Sequence, residues 1–337
     1  MQIESEVQER PPVRIGPADW SEAAGARQVH ARITISMPPR EDGIASLADL
    51  YDKATHSQWR ADDLDWSPEF DPDNPLDMHD GTIPLSATPL WGRLGEADKA
   101  LLRRRLQAWH LSQILHGERA SMLCASKIML SSDDPAEKRC AAVQASDEAR
   151  HVDVYSRLLG KVGPEVDISP SLNRLLFSVL HDNDPGITSL GMQIMIEGIA
   201  LAFFKNLQAY SNNPLAREVI GLVIRDEARH FAAGQMGLAR IHSQLTGAEL
   251  RLRESYVIEA CSLLDDYLFA DELWEPLGMK KSECVELTRA SPVSRSMHRS
   301  LFRNVVPAIR SIGLLGDYTR SALDRMGVLG YAAFPSV

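Results

Sequence analysis

From Glu96 onward, apolar positions recur every three to four residues, the period of helices buried along one face. Before that point the period fails. Residues 1–40 are irregular, Ala45 to Trp59 hold one short helical stretch, and residues 60–95 are rich in Asp and Pro. The pattern predicts helices over about 96–130, 135–160, 171–181, 187–210, 214–245, 247–270, 293–312 and 316–327. Ser131-Ser-Asp-Asp-Pro135 and Ser211-Asn-Asn-Pro214 punctuate it, each with a proline placed to open the next helix. No convincing strand interrupts these helices, so the expected fold is all-α: a four-helix bundle over 96–245. Residues 1–95 are expected to wrap it, anchored by Trp59, Trp66 and Trp91, and 246–337 to add further helices to the same domain.

One phrase in this pattern occurs twice. Ser146-Asp-Glu-Ala-Arg-His151 and Arg225-Asp-Glu-Ala-Arg-His230 each carry Glu-x-x-His, as Glu148/His151 and Glu227/His230. Thirty residues before each lies another glutamate, Glu118 and Glu197, and all three pairs are offset by 79 residues. Residues i and i+3 share a helix face, so each Glu and His point the same way. Two arms of roughly 13 residues rise about 20 Å each, which brings each outer glutamate level with its Glu-x-x-His. A single Glu-x-x-His is usually a solvated face; the neighbours here argue otherwise. Glu197 is the sole charge between Leu190 and Phe204, and a buried carboxylate must be paired, protonated or metal-bound. That apolar run is also short for a membrane span. Carboxylate with imidazole suits iron or manganese, whereas no cysteine stands at zinc-ligand spacing.

One Glu from each of two helices, with Glu-x-x-His from each of two more, resembles the ferritin-like di-iron carboxylate superfamily over about 99–244. The resemblance implies two iron ions, or a manganese–iron pair, held by Glu118, Glu148, His151, Glu197, Glu227 and His230. It also implies Glu148 and Glu227 as bridging, catalytic carboxylates and O2 chemistry between the metals. Asp147 and Asp226 would orient the histidines of the opposite repeat, with Arg150 and Arg229 neutralising those aspartates. Gly117 and Gly198 flank the outer glutamates, either to let a helix bulge near the metals or, the preferred reading, to allow close helix packing. Met122, Gln193, Ile194, Ala200 and Leu201, one turn from the glutamates, are the expected pocket lining, with Gln193 its polar handle. Tyr155 stands one turn after His151, where ribonucleotide reductase small subunits carry a radical tyrosine; a core tyrosine with a satisfied hydroxyl is the plainer expectation. Multicomponent hydroxylases and acyl-carrier desaturases place a threonine where Ala200 and Leu201 stand. The p-aminobenzoate N-oxygenase family is similar in length and layout, but adds a histidine ligand where this chain has Val223.

Composition narrows the function. With 44% hydrophobic residues the chain can bury a sizeable core, and a net charge of −10 argues against nucleic acid or an anionic membrane as partner. The N-terminus lacks an apolar signal segment, and Cys124, Cys140, Cys261 and Cys284 lack disulfide-like spacing, so a cytoplasmic location is expected. Asp71 to Asp77 lacks the central Gly and final Glu of a calcium loop. The long flanks of the bundle would crowd a ferritin shell, which counts against iron storage. The expectation is a non-haem di-iron, O2-activating oxidoreductase, a monooxygenase or N-oxygenase/oxidase, acting on a small organic substrate. It would draw electrons from a ferredoxin or reductase and form a homodimer; a radical-generating or Mn/Fe ligand-binding oxidase is the alternative.

Overall fold

A computed structural model describes Ile35 and residues 45–267 and 273–335. Four long helical rods form its centre: α2 (Glu96–Ser131), α3 (Pro135–Val162), the rod Pro185–Tyr210 and α7 (Pro214–His242). Three of them start with one device, a side-chain cap followed by proline, whereas α2 starts after Gly95 with neither. Asp134, Asp184 and Asn213 accept hydrogen bonds from first-turn N–H groups, while Pro135, Pro185 and Pro214 need no N–H partner there. Ser169 opens α4 (Pro170–His181) in the same way. Because these caps fix where each arm begins, they also fix the level at which the repeated motif lies.

The third rod is not uniform. It runs as α5 (Pro185–Ser189), a π-helical segment Leu190–Ile196, and α6 (Glu197–Tyr210). A π-turn widens the helix, and such turns cluster at functional sites. A bulge, the alternative to simple packing beside Gly198, is present and lies immediately before Glu197. At Gly191 the widened turn is pressed against its neighbours, where a Cβ would run into the Tyr256 hydroxyl and lie 2.5 Å from Val179 Cγ2. The rod's 26 residues also correct the reading that this run is short for a membrane span. By length and composition it could cross one, yet 89% of its apolar window is buried inside the protein, as in a core helix.

Around the centre, α1 (Ala45–His56) packs on α3 and α7. Residues 60–95 run as loops and short 3₁₀ turns pinned to α3 by cation–π contacts: Arg150 over Trp59, Arg157 over Trp66 and Lys161 over Phe70. The Asp71–Asp77 loop folds on itself, with Asp73 N donating to Asp71 Oδ1 at 2.9 Å, and the Gln107 amide accepts from Leu76 N. Beyond the bundle follow α8 (Gly247–Tyr267), α9 (Lys281–Ala290), α10 (Pro292–Leu301), α11 (Val305–Ser311) and α12 (Asp317–Arg325). The helix expected over 293–312 is two helices: Pro307 cannot donate to the carbonyl four residues back, so the chain turns at 302–304 and restarts. Sequence reading also missed α9, whose buried stripe is only Cys284 and Thr288. Among the described residues there is no strand; one isolated bridge pairs Met78 with Ser211.

Two large apolar clusters fill the core. On α2 and α7 the motif glutamates fall at the changeover between them: Leu115 and Val223 belong to one cluster, Ala120 and Phe231 to the other. The packing expected of Gly198 is present, since a Cβ there would lie 2.8 Å from both Phe231 and Val305. Gly117 departs from that expectation, with no neighbour within 4 Å of a built Cβ. The intrinsic helix gain of Gly→Ala is the same at both sites, so their difference isolates packing. Gly198→Ala should be less stable than Gly117→Ala by about 1–3 kcal/mol, read from urea unfolding midpoints.

Candidate metal centre

The helical register brings all six motif side chains to one place, none more than 5% exposed. His151 Nδ1 lies 3.1 Å from Glu148 Oε2, 3.1 Å from Glu227 Oε1 and 3.4 Å from Glu118 Oε2. His230 Nδ1 lies 3.3 Å from Glu148 Oε1 and 3.6 Å from Glu227 Oε2. Two groups able to hold a cation result, Glu118/Glu148/His151/Glu227 and Glu148/Glu197/Glu227/His230. Glu148 and Glu227 belong to both, the arrangement that bridging carboxylates require.

The far side of each imidazole is fixed across the repeat boundary. His151 Nε2 is 3.2 Å from Asp226 Oδ2, and His230 Nε2 is 3.2 Å from Asp147 Oδ2. Arg150 bonds Asp147 at 2.5 Å and Asp226 at 2.9 Å, while Arg229 bonds Asp226 and approaches Asp147 at 3.6 Å. With Nε2–H held by an aspartate, the Nδ1 lone pair of each ring faces inward toward the carboxylates. Trp59 adds a donor that sequence reading did not find: its Nε1–H bonds Asp226 Oδ2 at 2.8 Å. A contact across 167 residues leaves no trace in local periodicity.

The electrostatics of this cluster ask for a cation. Burial lifts the carboxyls of Glu118 and Glu197 well above their usual range, and the neighbouring carboxylates add to it. Burial also opposes ionisation of Glu148, but His230 and His151 outweigh it and hold its pKa well below normal. Burial disfavours charge on both imidazoles as well, yet the surrounding carboxylates raise them far above the ordinary value. Glu197 Oε2, Glu227 Oε2 and His230 Nδ1 are buried with no hydrogen-bond partner. Unpartnered buried acceptors converging on a shared centre fit a pair of hard divalent ions.

A cavity with about 620 Å³ of empty space, its mouth included, reaches Glu118, Glu197 and Glu227. Its wall is apolar: Ile114, Gly117, Leu172, Ile196, Ile199, Ala200, Phe203, Phe204 and Leu264, with Gln113, Ser121 and Tyr267 as polar members. Two of those are engaged elsewhere. Gln113 bonds Asp167 O and Ser169 N, and Ser121 Oγ donates to Met192 Sδ at 3.0 Å. Of the expected lining only Ala200 is on this wall. Ile194 and Leu201 are packed in the apolar core, Met122 lies half-buried elsewhere on α2, and Gln193 turns away to Gln144. The widened turn before Glu197 shifts the faces that a simple one-turn count assigns, and Leu264 and Tyr267 come from α8, which local reading could not place. Tyr155 is fully buried and packs on Phe204 with ring centroids 5.8 Å apart. Its hydroxyl has no hydrogen-bond partner, contrary to the expected satisfied one.

Fold and site together define a ferritin-like di-iron carboxylate protein. The family model of the p-aminobenzoate N-oxygenase AurF matches residues 40–313, most of the chain. The chain belongs to this family and is a di-iron, O2-dependent oxygenase acting on a small molecule. No curated protein matches it. Val223, where the family's further histidine would stand, is fully buried in the apolar cluster one turn before Glu227. When bound, the two ions supply reductive activation of O2; the chain supplies inward imidazoles, a water-excluding wall and charge balance. Asp226→Asn should weaken metal binding roughly 10–100-fold by loosening His151, measured by chelator competition. An unchanged affinity would show that Asp226 does not orient that ring.

Proposed function

We propose that the chain inserts one oxygen atom into an N–H bond of a small, flat, largely apolar amine, with Glu118, Glu148, His151, Glu197, Glu227 and His230 as the metal ligands. The observation that carries this is the apolar cavity ending on Glu118, Glu197 and Glu227, with Phe203 and Phe204 in its wall. An aromatic amine such as the p-aminobenzoate of the family's name fits that chemistry by class. In such a step one oxygen atom goes into the product and the other leaves as water. Two electrons and two protons must come from outside, for which we propose a ferredoxin or a flavin reductase.

The chain's residues have separable parts in this reading. The apolar wall keeps bulk water from the centre and holds the substrate by area, while Gly117 and Ala200 keep the approach to the carboxylates open. Residues 45–95 and α8 act as a cover, the expected wrapping by residues 1–34 and 36–44 lying outside the described residues: Trp59 braces Asp226 from one side and α8 closes the cavity from the other. Four unpaired cysteines support a reducing, cytoplasmic setting. A homodimer is proposed on the superfamily resemblance, and sedimentation at micromolar chain concentration would test it.

The full chain given ferrous iron and air should saturate at two irons per chain with a brief, stoichiometric O2 uptake. His151→Ala and His230→Ala should each fall short of two irons and lose that uptake, with helix content nearly unchanged by circular dichroism. Uptake continuing far beyond two irons would instead mean storage. Ala200→Phe should keep full iron loading and lower kcat/KM for amines by at least about tenfold, since a ring would occupy the passage to the carboxylates. Equal turnover in Ala200→Phe would remove this cavity as the substrate site.

A further inference from the structure

The two halves of the metal centre carry the same motif, and one of the turns at which they differ touches the carboxylates. Gln144, one turn before Glu148, is buried, and its Nε2 donates to Glu197 Oε1 at 2.8 Å and to Glu148 Oε1 at 3.2 Å. One amide therefore ties a carboxylate of the first repeat to one of the second. Its orientation is set from behind, because Gln144 Oε1 accepts from Gln193 Nε2 at 2.8 Å. Room for Gln193 comes from Gly234, where a Cβ would lie 2.5 Å from Gln193 Cβ.

The 79-residue offset gives the matched positions in the other half. Gln144 corresponds to Val223, Gln193 to Ile114, and Gly234 to Tyr155. The amide pair of one half is thus an apolar pair in the other, and Ile114 faces the large cavity. Val223, one turn before Glu227 on the same helix, belongs to an apolar cluster and has no amide to offer a carboxylate. Glu197 is held at Oε1 by Gln144, with its buried Oε2 unpartnered and free for a metal.

We propose that Gln144 is a positioning residue that makes the two metal positions unequal. It pre-sets Glu197 and Glu148, so the position formed by Glu148, Glu197, Glu227 and His230 fills first. The position formed by Glu118, Glu148, His151 and Glu227 shares only the longer contact, at Glu148, with nothing equivalent holding Glu118, and fills second. The inference rests on the dinuclear ligand set and not on the substrate.

The test titrates Mn(II) into the metal-free full chain, followed by calorimetry and by electron paramagnetic resonance. Wild type should bind two ions in resolved steps. Gln144→Met, close in size but without the donor, should weaken the tighter step roughly 10–100-fold and the other, which shares only Glu148, clearly less. That change orphans Gln193, so the double variant Gln144→Met/Gln193→Met, with no unpaired amide, should show the same selective loss. In a His151→Ala background the remaining ion should stay fully sensitive to Gln144→Met, and in a His230→Ala background it should be clearly less so. Two equal steps in wild type, or equal loss at both steps in the variants, would overturn the role of Gln144 alone. Absence of any Mn(II) binding would overturn the ligand set itself.

Discussion

Everything in this fold answers to the burial of four carboxylates and two imidazoles in an apolar interior. Isolated, each buried charge would be penalised by several kcal/mol. The chain manages this with two shells of opposite character. Inside, Glu118, Glu148, Glu197 and Glu227 converge with inward-facing ring nitrogens and leave orphan acceptors that divalent ions satisfy. Outside, Asp147 and Asp226 alternate with Arg150 and Arg229, so charge is balanced pair by pair before it reaches solvent. Because each aspartate serves the histidine of the other repeat, neither hairpin can complete its site alone.

That crossing explains why the periphery is so elaborate. The outer network lies near the surface, where water would screen it, and Trp59 with its cation–π partner Arg150 covers it. The Asp- and Pro-rich segment that follows has little periodicity of its own. It is ordered by what it touches on α3 and by polar links such as Gln107 to Leu76 and Ser211 to Leu76. On the opposite side, α8 and the C-terminal helices bury the widened turn, with Asn304 reaching Gly198 O at 3.3 Å. The cavity survives between these covers because Gly117 and Ala200 offer no bulk there.

Much of this was legible in the sequence, for identifiable reasons. Helix starts at 135 and 214 were readable because cap-plus-proline signals are local, and the same signal at 170 and 185 went unread, which set those starts one and two residues late. The six converging residues were readable because i, i+3 spacing and the doubled offset encode one face of one hairpin. The crossed aspartate–histidine pairing came from resemblance, and the contact distances match it. The cavity wall was not legible. Counting one turn from Glu197 assumes an α-helix, and the π-segment Leu190–Ile196 breaks that count, so Gln193 and Ile194 were assigned to the wrong surface. Leu172, Leu264 and Tyr267 reach the cavity through tertiary packing, which no window of sequence contains. α9 failed for a simpler reason: two buried positions in ten residues make too narrow a stripe.

A duplicated hairpin begins with two equivalent halves, yet O2 chemistry on a substrate needs a centre with a front and a back. Here the matched positions differ almost everywhere outside the ligands and the Asp-Glu-Ala-Arg-His phrase, and a few of the differences face the centre. The ligands, the aspartates and the arginines are kept in both repeats, while the turn before Glu-x-x-His and its facing partner become an amide pair in one and an apolar pair in the other. The apolar pair borders the substrate cavity through Ile114, and the amide pair secures Glu197 from behind. The same division accounts for Val223. Val223 packs in an apolar cluster one turn before Glu227 and offers the carboxylates no donor. The repeat thus preserves what binding two metals requires and differs where the two metals must do different things.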